Sequence, residues 1–66
     1  MMEEWRLKVQ AIYLNSRQHM KNTEEDWGKV FGAFRKVLDE YDNAPLVMAV
    51  VQETIIKLED YLREKG

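Results

Sequence analysis

The chain has no cysteine, a single proline, three glycines and one histidine among its 66 residues. The lack of cysteine excludes disulfides, thiolate metal sites and thiol catalysis. One histidine would leave a zinc site dependent on carboxylates, which is an unusual ligand set. No apolar run approaches the roughly 20 residues that a membrane span requires. We therefore expect no metal, no cofactor and no membrane span, and the fold must depend on side-chain packing or self-association.

The composition is that of one folded domain covering residues 1–66. Hydrophobic residues make up 45% and charged residues 33%, with a net charge of −2. This balance differs from the pattern of disordered chains. A chain this short buries only about 60% of the surface that its unfolded form exposes. The opening MMEEWRLKVQ lacks the apolar core of a secretion signal, so we expect a cytoplasmic protein.

Apolar residues recur at steps of three and four through most of the chain, which indicates helices. The turn signals KNT at 21–23 and YDNAP at 41–45 divide this pattern into three segments. The second segment carries the strongest stripe. Its members are Trp27, Val30, Phe31, Phe34, Val37, Leu38 and Tyr41. We place helices at about 3–21, 24–42 and 44–64.

The residues at the segment ends favour these boundaries. Thr23 is a good N-cap for the second helix, and Asn43 is a good N-cap for the third. Asn22 is a candidate left-handed terminator of the first. Pro45 falls in the first turn, where its missing N–H matters little. Short connections make neighbouring helices antiparallel. The sequence predicts an all-α, up-down-up array of three helices, which we expect dimerisation to complete.

The first helix has a second apolar ridge. Leu7, Ala11 and Leu14 recur at steps of four and three on the side opposite Val9. A helix on the outside of a three-helix array should be apolar on one face only. The ridge is explained by scattered surface leucines, by self-association or by another protein partner. Trp5, near the chain end, is expected to be partly exposed and to anchor such an interface.

Two glycines interrupt the second helix in the stretch DWGKVFGAF. Gly28 and Gly32 lie one turn apart. Each costs about 1 kcal/mol relative to alanine inside a helix. Small residues at this spacing let another backbone approach closely. The pair is either a tolerated inefficiency or a packing site for the first helix, the third helix or a second chain.

A thin basic strip runs along the first helix. Arg6, Arg17 and Lys21 are candidate anion contacts. Three charges give weak, salt-sensitive binding to a phosphate backbone, so we favour a solvated surface. Nucleic acid is not the favoured partner.

No arrangement in the sequence indicates catalysis. Ser16 and His19 share a helix side, but an orienting third group and an oxyanion site are not visible. The sequence therefore predicts no catalytic residues and no small-molecule substrate. It favours a non-enzymatic interaction module, a small homodimeric regulator or adaptor that binds another protein. The alternative is a small nucleic-acid-binding transcriptional regulator that uses the basic strip.

Overall fold

The computed structural model describes residues 3–65, which form three α-helices and contain no strand. The helices are α1 (Glu4–His19), α2 (Glu24–Glu40) and α3 (Pro45–Lys65). The boundaries predicted from the sequence agree with these to within two residues at every end. The all-α prediction is therefore confirmed.

The start of α2 is fixed by its own side chains. The Thr23 backbone is extended, and its hydroxyl accepts a hydrogen bond from the Asp26 backbone N–H at 3.2 Å. Glu24, Glu25 and Asp26 fill the first turn. Negative charge there stabilises the positive end of the helix dipole. The predicted Thr23 cap is confirmed.

The connection from α1 to α2 differs from the prediction. Met20, at the end of α1, is extended, and Asn22 is not left-handed, because positive φ angles in residues 3–65 occur only at two later positions. The Asn22 side-chain carbonyl instead accepts a hydrogen bond from Trp27 Nε1 at 2.7 Å. The prediction that Asn22 terminates α1 was wrong, and its side chain ties the connection to α2.

The connection from α2 to α3 contains the two left-handed residues. Asp42 and Asn43 have φ angles of 53° and 55°. The Asn43 N–H donates to the Leu38 carbonyl at 2.8 Å, so this residue terminates α2. The prediction that Asn43 caps α3 was wrong, since Ala44 directly precedes that helix. Pro45 opens α3 as predicted.

Contacts between the helix ends establish their directions. Lys8 Nζ lies 2.6 Å from Glu40 Oε2, which brings the start of α1 to the end of α2. The Arg17 guanidinium lies 4.5 Å from the Tyr61 ring centre, which brings the ends of α1 and α3 together. Thus α1 is antiparallel to α2 and parallel to α3, and the up-down-up order is confirmed. Dimerisation stays a prediction.

The core lies between α1 and the two other helices. Helix α1 packs against both α2 and α3, whereas α2 and α3 contact each other much less. Phe34 and Leu58 are fully buried at its centre. The apolar core consists of Trp5, Val9, Val30, Phe34, Val37, Val47, Val51, Leu58 and Leu62. Because α1 has two neighbours on one side, its other side is left as a surface.

Candidate functional site

The second apolar ridge of α1 lies at the surface. Leu7 is 53% exposed and Leu14 is 44% exposed, and Ala11 between them is exposed as well. A helix turns by about 100° per residue, which places these three opposite the buried Val9. We call Leu7, Ala11 and Leu14 the outer ridge. Leu14 also borders α3, whereas neither Leu7 nor Ala11 lines a groove against it. The role of the outer ridge as a partner or dimer interface stays a prediction.

Trp5 does not belong to that surface. It is only 5% exposed and is part of the apolar core. Its indole N–H donates to the Glu3 carboxylate, and the Arg6 guanidinium lies 4.7 Å from its ring centre. Trp5 precedes Val9 by one helical turn and therefore shares its inward face. The expectation of an exposed interface anchor was wrong.

The two glycines of α2 also lie at the surface. Gly28 and Gly32 are exposed, and a Cβ added at either position would have no neighbouring atom within 4 Å beyond its own helix. They occupy the side of α2 away from the buried Val30 and Phe34. Of the alternatives that the sequence left open, packing of α1 or α3 on this strip is excluded. Packing of a second chain there stays a prediction.

Two residues of the predicted basic strip lie beside a groove between α1 and α3. Arg6 and Arg17 border it from α1, and Lys57 joins them from α3. Lys21 lies apart in the α1–α2 connection, where its backbone N–H donates to Asp26 Oδ2 at 2.7 Å. The groove has a volume of about 450 Å³. This basic groove is lined by Arg6, Val9, Gln10, Tyr13, Leu14, Arg17, Val50, Thr54 and Lys57.

The two arginines of the basic groove are held against aromatic rings. The Arg17 guanidinium lies 5.6 Å from the centre of the Tyr13 ring and 4.5 Å from that of Tyr61. Arg6 lies over Trp5 in the same manner. Such contacts attract the cation to the ring face and restrict the side chain. The positions of both charges along the groove are thereby limited.

The cations of the basic groove have no carboxylate partner among residues 3–64. The ion pairs of that part of the chain join Lys8 to Glu40 and Arg63 to Glu59 and Asp60. The hydrogen bond to Glu40 raises the pKa of Lys8 above its ordinary value. The acids are therefore paired elsewhere or exposed, and the groove keeps its positive charge.

Sequence reasoning missed two features of these surfaces. Phe31 was placed on the inward stripe, yet it is 49% exposed at the edge of a cleft between α2 and α3, with its ring 5.5 Å from that of Trp27. Lys57, which borders the basic groove, was not singled out from the sequence. Its spacing of three from Thr54 places both residues on one face of α3. That spacing does not predict a groove residue unless the rotation of α3 relative to α1 is known.

The Ser16–His19 pair does not form a linked catalytic arrangement. These residues and Asp26 line a groove of about 300 Å³ between α1 and α2. Ser16 is buried and His19 is exposed, and no hydrogen bond joins the three side chains. Among the described residues, no group of three or more histidines, aspartates or glutamates is placed to hold a metal ion.

None of the three helices, over the residues described, has a stretch that is both long and apolar enough to cross a bilayer. In comparisons with known proteins, no family model, no curated protein and no solved structure matches this chain.

Proposed function

We propose that the protein is a non-enzymatic helical interaction module, a small homodimeric regulator or adaptor that binds another protein. The observation that carries this proposal is the exposure of Leu7 and Leu14 on the side of α1 that faces away from the buried Val9. We place the protein in the cytoplasm, because a chain without cysteine does not need an oxidising compartment to fold.

The outer ridge suits a helix partner. Leu7 and Leu14 are two turns apart, about 10 Å along α1, and Ala11 lies between them. In a two-fold antiparallel pair, Ala11 would lie near the axis and let the helices approach closely. Leu7 would then pack beside Leu14 of the second copy, and the reverse contact would follow by symmetry.

The size of the chain sets the extent of that interface. A stable interface buries about 800 Å² on each partner. The whole chain exposes 5046 Å², so such an interface would cover a considerable share of its surface. Three ridge residues do not supply that area. The ridge would therefore form the centre of the interface, with exposed polar neighbours such as Gln10 and Gln18 at its rim.

Sedimentation equilibrium tests the dimer. We expect the wild-type protein to dimerise at tens of micromolar, and the double variant Leu7→Glu with Leu14→Glu to be monomeric, because four carboxylates would be buried in the symmetric contact. The matched control is Leu46→Glu with Ile56→Glu, which changes two residues of α3 that are 54% and 61% exposed. A wild-type monomer, or equal effects of ridge and control variants, would contradict the proposal.

A second function is favoured by the basic groove, namely a small nucleic-acid-binding transcriptional regulator that contacts phosphates through Arg6 and Arg17. With Lys57, three charges would face the backbone. Affinity for duplex DNA should then fall by about 40-fold between about 50 and 200 mM salt. A titration that detects no salt-dependent binding to the duplex would exclude this second function.

A further inference from the structure

We propose that the basic groove binds an acidic, amphipathic helix of a partner protein. This inference rests on the proposed function as a protein interaction module, and it names the chemistry of the partner. Of the outer ridge, only Leu14 borders this groove, and Gln10, at the rim of the proposed dimer interface, lines it as well.

The charges of the groove define the first property of the occupant. Arg6, Arg17 and Lys57 border it, and no acidic side chain is among its lining residues. The chain as a whole has a net charge of −2, so this local positive charge is opposite to the overall balance. A partner segment that carries carboxylates at matching positions would be electrostatically complementary to these three cations.

The arginines are already partly ordered for that task. Arg17 is held near the rings of Tyr13 and Tyr61, and Arg6 over that of Trp5. A guanidinium that lies on an aromatic face can still direct N–H groups at a carboxylate, and it loses less freedom on binding. The restriction of these two cations favours planar, bidentate anions such as carboxylates.

The floor of the groove defines the second property. Val9 is 3% exposed and Val50 is half-buried, and both line the groove together with the cations. The Thr54 hydroxyl donates to the Val50 backbone carbonyl at 2.7 Å, so its hydrogen is already used. This floor offers little to a sugar–phosphate backbone, whereas it suits the apolar side of a peptide. The occupant is therefore apolar toward the floor and acidic at its flanks.

The shape of the groove favours a helix. Arg6 and Arg17 are eleven residues apart on α1, about 16 Å along its axis. That length matches roughly three turns of a partner helix. An extended peptide would place backbone N–H and C=O groups against an apolar floor without partners, whereas a helix satisfies its own. A helix lying between α1 and α3 would also convert the three-helix array into a four-helix arrangement.

The experiment is a selection followed by affinity measurements. A display library of random peptides of about 16 residues is selected on the folded protein. We expect the enriched sequences to combine Asp and Glu with apolar residues at steps of three and four. Failure to enrich any binder, or enrichment of neutral or basic sequences, would overturn the proposal.

The strongest selected peptide is then titrated against two charge variants by fluorescence anisotropy. The groove variant carries Arg6→Gln, Arg17→Gln and Lys57→Gln. The matched control variant removes the same charge from α2 and is Lys29→Gln, Arg35→Gln and Lys36→Gln. We expect the groove variant to lose at least about tenfold in affinity and the control variant to stay within about twofold. Equal losses would indicate unspecific attraction and overturn the proposal.

Three further measurements distinguish the possible outcomes. If circular dichroism shows that the groove variant is unfolded, the exposed single variant Lys57→Gln takes its place, with an expected loss of about two- to threefold. Single-stranded and duplex DNA of about 16 nucleotides are titrated in parallel, and tighter binding of either than of the peptide overturns the proposal. Sedimentation of the groove variant measures dimerisation independently of peptide binding. If the groove and control variants bind the peptide equally well while the dimer is intact, this inference is contradicted and the proposed dimer is not.

Discussion

The two sides of α1 carry similar residues in very different surroundings. Val9 is 3% exposed, whereas Leu14, five residues later, is 44% exposed. The inner side even includes the buried polar Ser16, while the outer side offers two leucines. Hydrophobicity alone therefore does not decide which side is covered. The decision depends on where α2 and α3 can pack, and this leaves Leu7 and Leu14 exposed.

The largest expected effect tests the inner side. Trp5→Ala should lower the free energy of unfolding by about 3–5 kcal/mol, because it removes a large buried side chain and leaves a cavity. Leu7→Ala on the outer side should change it by no more than about 0.5 kcal/mol while the protein is monomeric. Urea unfolding followed by circular dichroism, at a concentration below that of dimerisation, measures both. Similar losses for the two variants would contradict the division of α1 into covered and uncovered sides.

The same comparison extends to α2. Gly28→Ala with Gly32→Ala should raise the free energy of unfolding by about 1–2 kcal/mol, because alanine is the better helix former. The added methyl groups meet no atom within 4 Å beyond their own helix, so no clash offsets this gain. Thermal unfolding of the monomer measures the gain. Sedimentation of the same variant then reports whether a second chain uses the strip, since the methyl groups would weaken a close contact there. A destabilised monomer would show that the strip is covered after all.

Local sequence signals predicted the helices well. The Thr23 hydroxyl, the acidic first turn of α2 and Pro45 act within a few residues of the chain, so their roles can be inferred without knowing the tertiary structure. The left-handed pair Asp42–Asn43 was harder, since Asn suits either the end of one helix or the start of the next.

The surfaces were less predictable, for a physical reason. Three features depend on how each helix is rotated about its axis relative to its neighbours. They are the burial of Trp5, the exposure of Phe31 and the position of Lys57 on the same groove as the arginines. Helical spacing restricts an apolar side to an arc and does not fix that rotation. The outer ridge could be identified because its residues lie on the side of α1 away from the buried Val9, and both leucines stay exposed in the structure.

A smaller effect is expected at Ser16. Ser16→Ala should raise the free energy of unfolding by about 0.5 kcal/mol, because alanine is the better helix former. Within the described residues the Ser16 hydroxyl makes no hydrogen bond that the change would remove. The exposed neighbour variant Asn15→Ala calibrates the contribution of helix propensity alone, and denaturant unfolding of both gives the comparison. A loss of stability at Ser16 beside a gain at Asn15 would mean that the hydroxyl contributes to the inner side.

The smallest expected effect lies at the edge between the two sides, in the Lys8–Glu40 ion pair. Its hydrogen bond to Glu40 raises the pKa of Lys8 above the ordinary value of 10.5. The stabilisation is thus fully present below that value and is lost as the pH rises through the higher pKa of the folded state. The difference in free energy of unfolding between wild type and Glu40→Gln should therefore shrink at strongly alkaline pH. A difference that does not vary with pH would rule out a contribution from the charge of Lys8.

The central position of α1 also has a consequence for the order of folding. Helices α2 and α3 are neighbours in sequence but share few contacts, whereas α1 and α3 meet through residues as distant as Arg17 and Tyr61. Closing that span carries an entropic cost before the core exists to offset it. During synthesis, a nascent chain that ends after α2 lacks the second wall of its core. The native packing therefore forms only once α3 has been made. Until then, the apolar residues of α1 that α3 covers in the folded protein are exposed.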